Sequence, residues 1–138
     1  MAKLHFRFGT MSSAKTASAL MLVYNFKEKG NSVLLAKPDI DTRTQEVWSR
    51  IGLKEASISV SEMLALPIED IARCKVIVVD EAQFMEPDQV DELAKLVDKL
   101  NIPAFCFGLK TDYTSKLFPG SKRLLELADE IEEVKTSC

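Results

Sequence analysis

Gly9-Thr10-Met11-Ser12-Ser13-Ala14-Lys15-Thr16 follows the spacing G-x-x-x-x-G-K-[ST], with Ala14 standing where the second glycine belongs. Such a loop can cradle phosphate. Its backbone N–H groups curl around phosphate oxygens, and the helix that follows turns its positive end toward them. In that reading Gly9 through Thr16 hold the nucleotide, Lys15 reaches the β and γ phosphates, and Thr16 offers its hydroxyl to Mg²⁺. Ala14 adds one methyl where backbone must approach phosphate closely. The plainer reading of the same residues is an ordinary helix N-terminus.

A second candidate is Asp80-Glu81, which follows Val76-Ile77-Val78-Val79. A carboxylate at the end of a buried β-branched strand is where P-loop proteins place the aspartate that holds Mg²⁺. Glu81 beside it is placed to take a proton from an acceptor hydroxyl. Alone, the pair also reads as two solvated carboxylates capping the next helix. Two such segments in this order, each at a strand end and each followed by a helix, make a nucleoside-triphosphate site the stronger joint reading.

The elements that must position these residues are legible in part. Leu4 to Phe8 reads as a strand. From Lys15 a helix carries Ala17, Leu20, Met21, Tyr24 and Phe26 at helical intervals and stops at Gly30-Asn31. Ser32 to Ala36, Lys75 to Val79 and Ile102 to Phe107 read as further strands, the middle one apolar on both faces as parallel sheets require. Glu86 to Leu100 is an amphipathic helix with Pro87 in its first turn and a stripe of Val90, Leu93, Ala94, Val97 and Leu100. Short helices are expected at Ser61 to Leu66, capped by Ser61, at Ile68 to Arg73, and at Leu124 to Ala128. Asp39 to Ser59 reads as a long excursion with at most one weak element, and Lys110 to Ser121 as a polar loop. Glu130 to Val134 reads as helix continuation or edge strand, and the acidic stretch Glu126 to Glu133 as a solvated face. The alternation of strand and helix predicts a parallel α/β sheet, whose ligands sit at the carboxyl ends of its strands.

Composition narrows the classes. The 138 residues are 46% apolar and 28% charged, which suits one soluble globular domain. A net charge of −3 argues against a broad nucleic-acid footprint. No apolar run approaches the ~18 residues of a membrane span, and the N-terminus lacks a signal peptide's apolar stretch, which places the protein in the cytoplasm. Three cysteines make a disulfide framework improbable, and Cys74 and Cys106 read as core residues. A Ser-His-Asp hydrolase would have to use the single histidine, His5, which reads instead as a residue on a sheet face.

Taken together, residues 9–16, Asp80-Glu81-Ala82-Gln83-Phe84 and Phe107-Gly108-Leu109-Lys110-Thr111-Asp112-Tyr113 resemble the cytosolic-type thymidine kinases, bacterial members most closely. Residues 24–30, Lys37-Pro38-Asp39-Ile40-Asp41-Thr42-Arg43, 49–53 and 117–121 agree, so the resemblance runs over essentially the whole chain. It implies a RecA-like P-loop NTPase domain over 1–138, a parallel sheet flanked by helices, that transfers the ATP γ-phosphate to the 5′-hydroxyl of thymidine. It implies that Glu81 is the proton acceptor, that Asp80 and Thr16 serve Mg²⁺, and that Gln83 lies at the nucleotide site. The thymidine pocket falls on Met11, Phe84, Leu109, Tyr113 and Phe118. Thymidine triphosphate is the expected feedback inhibitor and a homo-oligomer, dimer or tetramer, the expected assembly, with neither membrane nor nucleic acid as partner.

Three departures qualify the match. Ala14 replaces a glycine, and Tyr113 replaces the usual phenylalanine. The family also carries a zinc unit of four cysteines followed by a lasso loop over thymidine. Cys138 falls at the first of those cysteines, so the unit is expected to be absent from 1–138, and one thiolate cannot make a zinc site. Two rival readings stand beside the kinase: a catalytically silent nucleotide-binding homologue, and an ATPase in which Asp80-Glu81 activates water.

Overall fold

The computed structural model of the chain describes residues 1–9, 15–39, 46–48 and 54–134, with 46–48 and 54–56 as backbone only. The elements run β1 (Leu4–Gly9), α1 (Lys15–Glu28), β2 (Val33–Lys37), β3 (Glu46–Trp48), β4 (Lys54–Ala56), β5 (Ile58–Ser59), α2 (Val60–Leu64) and α3 (Ile68–Ala72). They continue with β6 (Val76–Val79), α4 (Pro87–Leu100), β7 (Ala104–Leu109), α5 (Pro119–Leu127) and β8 (Glu130–Glu133). A single 3-10 turn, Ala82–Phe84, links β6 to α4.

Six strands form one sheet in the order β5-β2-β6-β7-β1-β8, and every pairing in it is parallel. A parallel sheet needs helices on both faces, because each crossover lays one there. Residues of α2, α3, α4 and α5 pack one face against Leu4, Phe6, Ala36, Ile77, Val79 and Cys106. On the other face, Ala19, Leu20 and Val23 of α1 pack against Leu35, Val76, Val78 and Phe107. All four residues of β6 are fully buried. The strands end together, so the residues that follow β1, β6 and β7 share one rim of the sheet.

Several boundaries differ from the sequence reading, each for a physical reason. The helix at 15–28 buries Ala19, Leu20 and Val23 and leaves Met21 and Tyr24 exposed. Its apolar residues surround much of the helix, so the pattern does not set which face turns inward. The cap of α2 is Ser59: its Oγ accepts from the Glu62 N–H at 3.0 Å, and the Glu62 carboxylate accepts from the Ser59 N–H at 3.3 Å. Ser61, the expected cap, instead donates its hydroxyl to Asp39. The excursion at 39–59 holds an antiparallel pair, β3 with β4, and the short β5 on the sheet edge.

Helix α5 begins at Pro119, five residues before the expected start, with Pro at its first position. The alternative left open at 130–134 resolves as an edge strand. The acidic stretch is more than a solvated face. Glu126 pairs with Arg123 at 3.0 Å, the Asp129 carboxylate accepts from the Leu4 N–H at 2.8 Å, and Glu130 pairs with Lys3 at 3.0 Å. Cys106 is buried as expected, but Cys74 is only half-buried, because it lies past the end of α3 rather than inside β6. No helix of the described residues is long and apolar enough to cross a membrane.

The reciprocal cap of α2 yields a direct test. Replacing Ser59 with Ala should cost about 1 kcal/mol of unfolding free energy in urea, the usual value of an N-cap. Ser61→Ala should leave the cap bonds intact and cost less.

Candidate functional site

The site assembles at the carboxyl rim. Of the phosphate-loop residues, Gly9 ends β1 and Lys15 and Thr16 open α1, while Thr10, Met11, Ser12, Ser13 and Ala14 lie outside the described residues. One strand and one crossover away, β6 delivers Asp80. Its backbone N–H donates to the Ala36 carbonyl at 3.0 Å, continuing the ladder past the strand end. The Thr16 hydroxyl stands 3.2 and 3.4 Å from the two Asp80 carboxylate oxygens. Asp80 is buried, 5% exposed, and burial, with Glu81 adding to it, pushes its carboxyl from 3.8 up to about 6. Burial also lowers the Lys15 ammonium, and the negative charges of Glu81 and Asp80 oppose that shift. The three charged groups therefore share one locality.

Glu81 sits in the left-handed region, at φ 54° and ψ 39°. A non-glycine residue there costs energy, and surrounding packing must hold it. Three contacts do so. The Phe84 and Met85 N–H groups close the 3-10 turn onto the carbonyls of Glu81 and Ala82, each at 3.1 Å. Gln83, 2% exposed, donates its amide to the Glu81 carboxylate at 2.7 Å and accepts from the Leu109 N–H at 3.1 Å. Gly120 of α5 presses on the turn from the other side. A Cβ there would stand 2.4 Å from the Met85 carbonyl oxygen and 3.0 Å from that of Gln83. Gln83, read from sequence as a nucleotide contact, is thus turned inward onto Glu81 and β7.

Beside this turn lies a cavity of about 500 Å³. Phe84, Leu109, Tyr113 and Phe118, four of the five residues predicted for a nucleoside pocket, line it; Met11, the fifth, lies outside the described residues. Phe84 and Phe118 meet edge to face with centroids 5.6 Å apart. Tyr113 is 98% exposed, so core packing does not account for it. The loop that presents it is built by Asp112, whose carboxylate accepts from the Thr114 N–H at 2.8 Å, the Thr114 hydroxyl at 2.6 Å and the Lys116 N–H at 3.1 Å. Those bonds hold the Asp112 carboxyl below its ordinary range, the Thr114 hydroxyl foremost.

Sequence reasoning missed Phe8, Lys110 and Glu133, which also line the cavity. Lys110 places its ammonium 5.0 Å from the centre of the Phe8 ring. No motif marks Phe8 or Glu133, and Lys110, though inside the 107–113 motif, carries no sign of facing the cavity; the adjacency of β1 to β7 and β8 brings the three together.

Asp80 and Thr16 supply hard oxygen donors, which suit Mg²⁺. A zinc site finds no such set: among the described residues no three His, Cys, Asp or Glu side chains group to hold a metal, and Cys138 lies outside them. Burial pushes the Cys106 thiol up to about 12, so it stays protonated. His5 stacks on Phe105 at 4.1 Å, on the face of β1 away from the cavity, where Phe8 points the other way.

Comparison with known proteins bears on this arrangement. A family model described as thymidine kinase matches residues 2–138. The thymidine kinase of Lactococcus lactis is 42% identical across the whole chain, and that of enterobacteria phage T4 is 44% identical. The thymidine kinase of Streptococcus pyogenes serotype M3 is 40% identical. The chain spans about three quarters of these relatives' lengths, at 76%, 75% and 76%. Among solved structures, Bacteroides Pif1 bound to single-stranded DNA superposes with a TM-score of 0.59 over 96% of this chain and 38% of its own, at 13% identity. The Pif1 helicase of Candida albicans gives 0.58 over 99% and 36%, at 9% identity. That likeness shows the fold, a RecA-like parallel sheet flanked by helices.

Two outcomes follow from the geometry. The raised Asp80 carboxyl makes a stabilising contribution that is fully present below its unfolded value of 3.8 and is lost as pH rises through about 6. In EDTA, Asp80→Asn should therefore gain stability over the parent above pH 6, by about 3 kcal/mol at most, and match it below pH 4. Urea titrations across that range read both ends. Gly120→Ala drives a methyl into backbone carbonyls, and should cost about 1–3 kcal/mol as overpacking does.

Proposed function

The chain belongs to the thymidine kinase family and transfers the γ-phosphate of ATP to the 5′-hydroxyl of thymidine; we propose that residues 1–138 form one kinase domain in which Lys15, Thr16, Asp80 and Glu81 carry that transfer. The observation that carries this reading is the shared rim. The Asp80–Thr16 pair and the left-handed Glu81 stand beside an aromatic-lined cavity of about 500 Å³, a size that suits a small ligand.

In this reading the residues 9–16 hold the triphosphate through loop amides and the start of α1. Lys15 lies against developing negative charge on the phosphate, in a locality already dense with carboxylate. Asp80 and Thr16 would hold Mg²⁺, which the family uses with ATP and which neutralises phosphate charge when bound. Glu81 accepts the proton of the 5′-hydroxyl as that oxygen attacks the γ-phosphorus in line, and ADP leaves. Phe84, Phe118 and Leu109 sandwich the base, Tyr113 closes over it from the loop that Asp112 organises, and Met11 joins them. These apolar walls exclude the water that would otherwise compete for the phosphoryl group.

The same reading extends to regulation and setting. Thymidine triphosphate spans both halves of the site and inhibits by feedback, the protein works in the cytoplasm, and copies associate as dimers or tetramers. The family's zinc unit would lie beyond these residues and enters no step here.

Glu81→Gln preserves the length of the side chain and its bond to Gln83. It should lower kcat by about 10² to 10⁴-fold and leave the KM for ATP near the parent value; full activity would remove Glu81 from the role. Calorimetric titration should show thymidine triphosphate binding and deoxycytidine triphosphate binding far more weakly. Equal binding of both would mean that the cavity does not select the base, and ADP release without thymidine would favour an ATPase.

A further inference from the structure

We infer that Gln83 is the positioning residue of the phosphoryl transfer: it fixes the Glu81 carboxylate in one orientation by tethering it to the wall of the nucleoside cavity. The inference rests on the reading of Glu81 as proton acceptor.

The orientation of the Gln83 amide is settled by chemistry. The Leu109 N–H can only donate, so the group facing it, at 3.1 Å, is the amide oxygen. The remaining end is therefore the NH₂, and it meets a group that only accepts when ionised, the Glu81 carboxylate at 2.7 Å. A buried amide satisfied at both ends is a rigid strut. One end holds a catalytic oxygen, and the other holds the backbone of Leu109, whose side chain lines the cavity.

Leu109 is itself fixed from a second side. Ser121 of α5, fully buried, donates its hydroxyl to the Leu109 carbonyl. Both backbone polar groups of Leu109 are thus committed, the N–H to Gln83 and the carbonyl to Ser121. The proton acceptor and the cavity wall share a single bracket, and their separation cannot drift independently.

The neighbouring backbone is shaped to admit the strut. A Cβ on Gly108 would lie 2.5 Å from the Gln83 amide oxygen and 2.9 Å from the Gln83 nitrogen. Any side chain at 108 would evict Gln83 from this position. The strut also has a reason to exist. Glu81 has a left-handed backbone and is only half-buried, so its side chain leaves the turn in a direction local structure does not set. Misplacing a reacting group by about 1 Å can cost on the order of 10² in rate.

The test uses Gln83→Met, Gln83→Glu, Glu81→Gln and the double variant Glu81→Gln with Gln83→Met, assayed for kcat and for both KM values. Gln83→Met keeps the length and burial of the side chain and removes both bonds; kcat should fall by about 10²-fold while both KM values stay near the parent's. Gln83→Glu still accepts from the Leu109 N–H but faces Glu81 with a second carboxylate, so kcat should fall at least as far. If Gln83 merely tied the turn to β7, the glutamate would serve and kcat would survive, which would overturn the inference. In the Glu81→Gln background, Gln83→Met should add no further loss, and an equal loss in both backgrounds would mean that Gln83 acts without Glu81. Should Gln83→Met fail to fold, Gln83→Glu decides alone. A fully active Glu81→Gln variant would overturn the reading of Glu81 and this inference with it, whereas an inactive Glu81→Gln beside fully active Gln83 variants would overturn this inference only.

Discussion

Asp80 must carry charge where water scarcely reaches. It stands at the end of a strand whose four residues are wholly buried, and is itself 5% exposed. Desolvation disfavours the ionised carboxylate, and the Glu81 N–H, the Thr16 hydroxyl and the Lys15 charge compensate only in part. In the proposed reading a bound metal ion adds the positive charge that Lys15 supplies only in part. Most of the architecture follows from this. A fully buried strand needs a partner strand and a helix on each face, and the parallel sheet supplies them. The helix on one face, α1, also delivers Lys15 and Thr16 to the carboxylate.

The second requirement is that the chain turn sharply straight after Asp80. Glu81 takes a left-handed backbone, Ala82–Phe84 coil into one 3-10 turn, and the segment is pressed between β7 and α5. The turn connects two regions of opposite character. Behind it lies the charged pair with Lys15, and ahead of it the aromatic walls of Phe84 and Phe118. Five consecutive residues therefore carry the carboxylate proposed to hold the metal, the proposed proton acceptor, the amide that tethers it and one wall of the cavity.

Much of the fold is legible in the sequence. β6 and α4 announce themselves, one by four β-branched residues in a row and the other by a regular stripe, because one period dominates each. The strand-end position of Asp80-Glu81 follows from β6, and that of Gly9 from β1. What stayed hidden depended on contacts distant in sequence. Phe118-Pro119-Gly120 reads locally as a break, yet Pro119 starts α5 and Gly120 is small because the 81–85 turn presses against it. Gln83 gives no sign in sequence of turning inward, since its direction is set by β7, some 25 residues on. Asp112 looked like loop polarity and proves to be the scaffold of Tyr113.

The sheet order carries a temporal consequence. β1 sits between β7 and β8, and Leu4 lies opposite Ala104, so β1 waits for a partner about 100 residues later. At the ~5–20 residues per second of synthesis, that wait lasts on the order of 5–20 s. Until β7 emerges, Leu4, Phe6 and Phe8 have no strand to pair with, and α1 has only part of its platform. Contacts so distant also slow refolding of the intact chain, because loop closure must precede the pairing that rewards it. Gly9, whose register partner is Leu109, can take its place on the rim only with that late pairing.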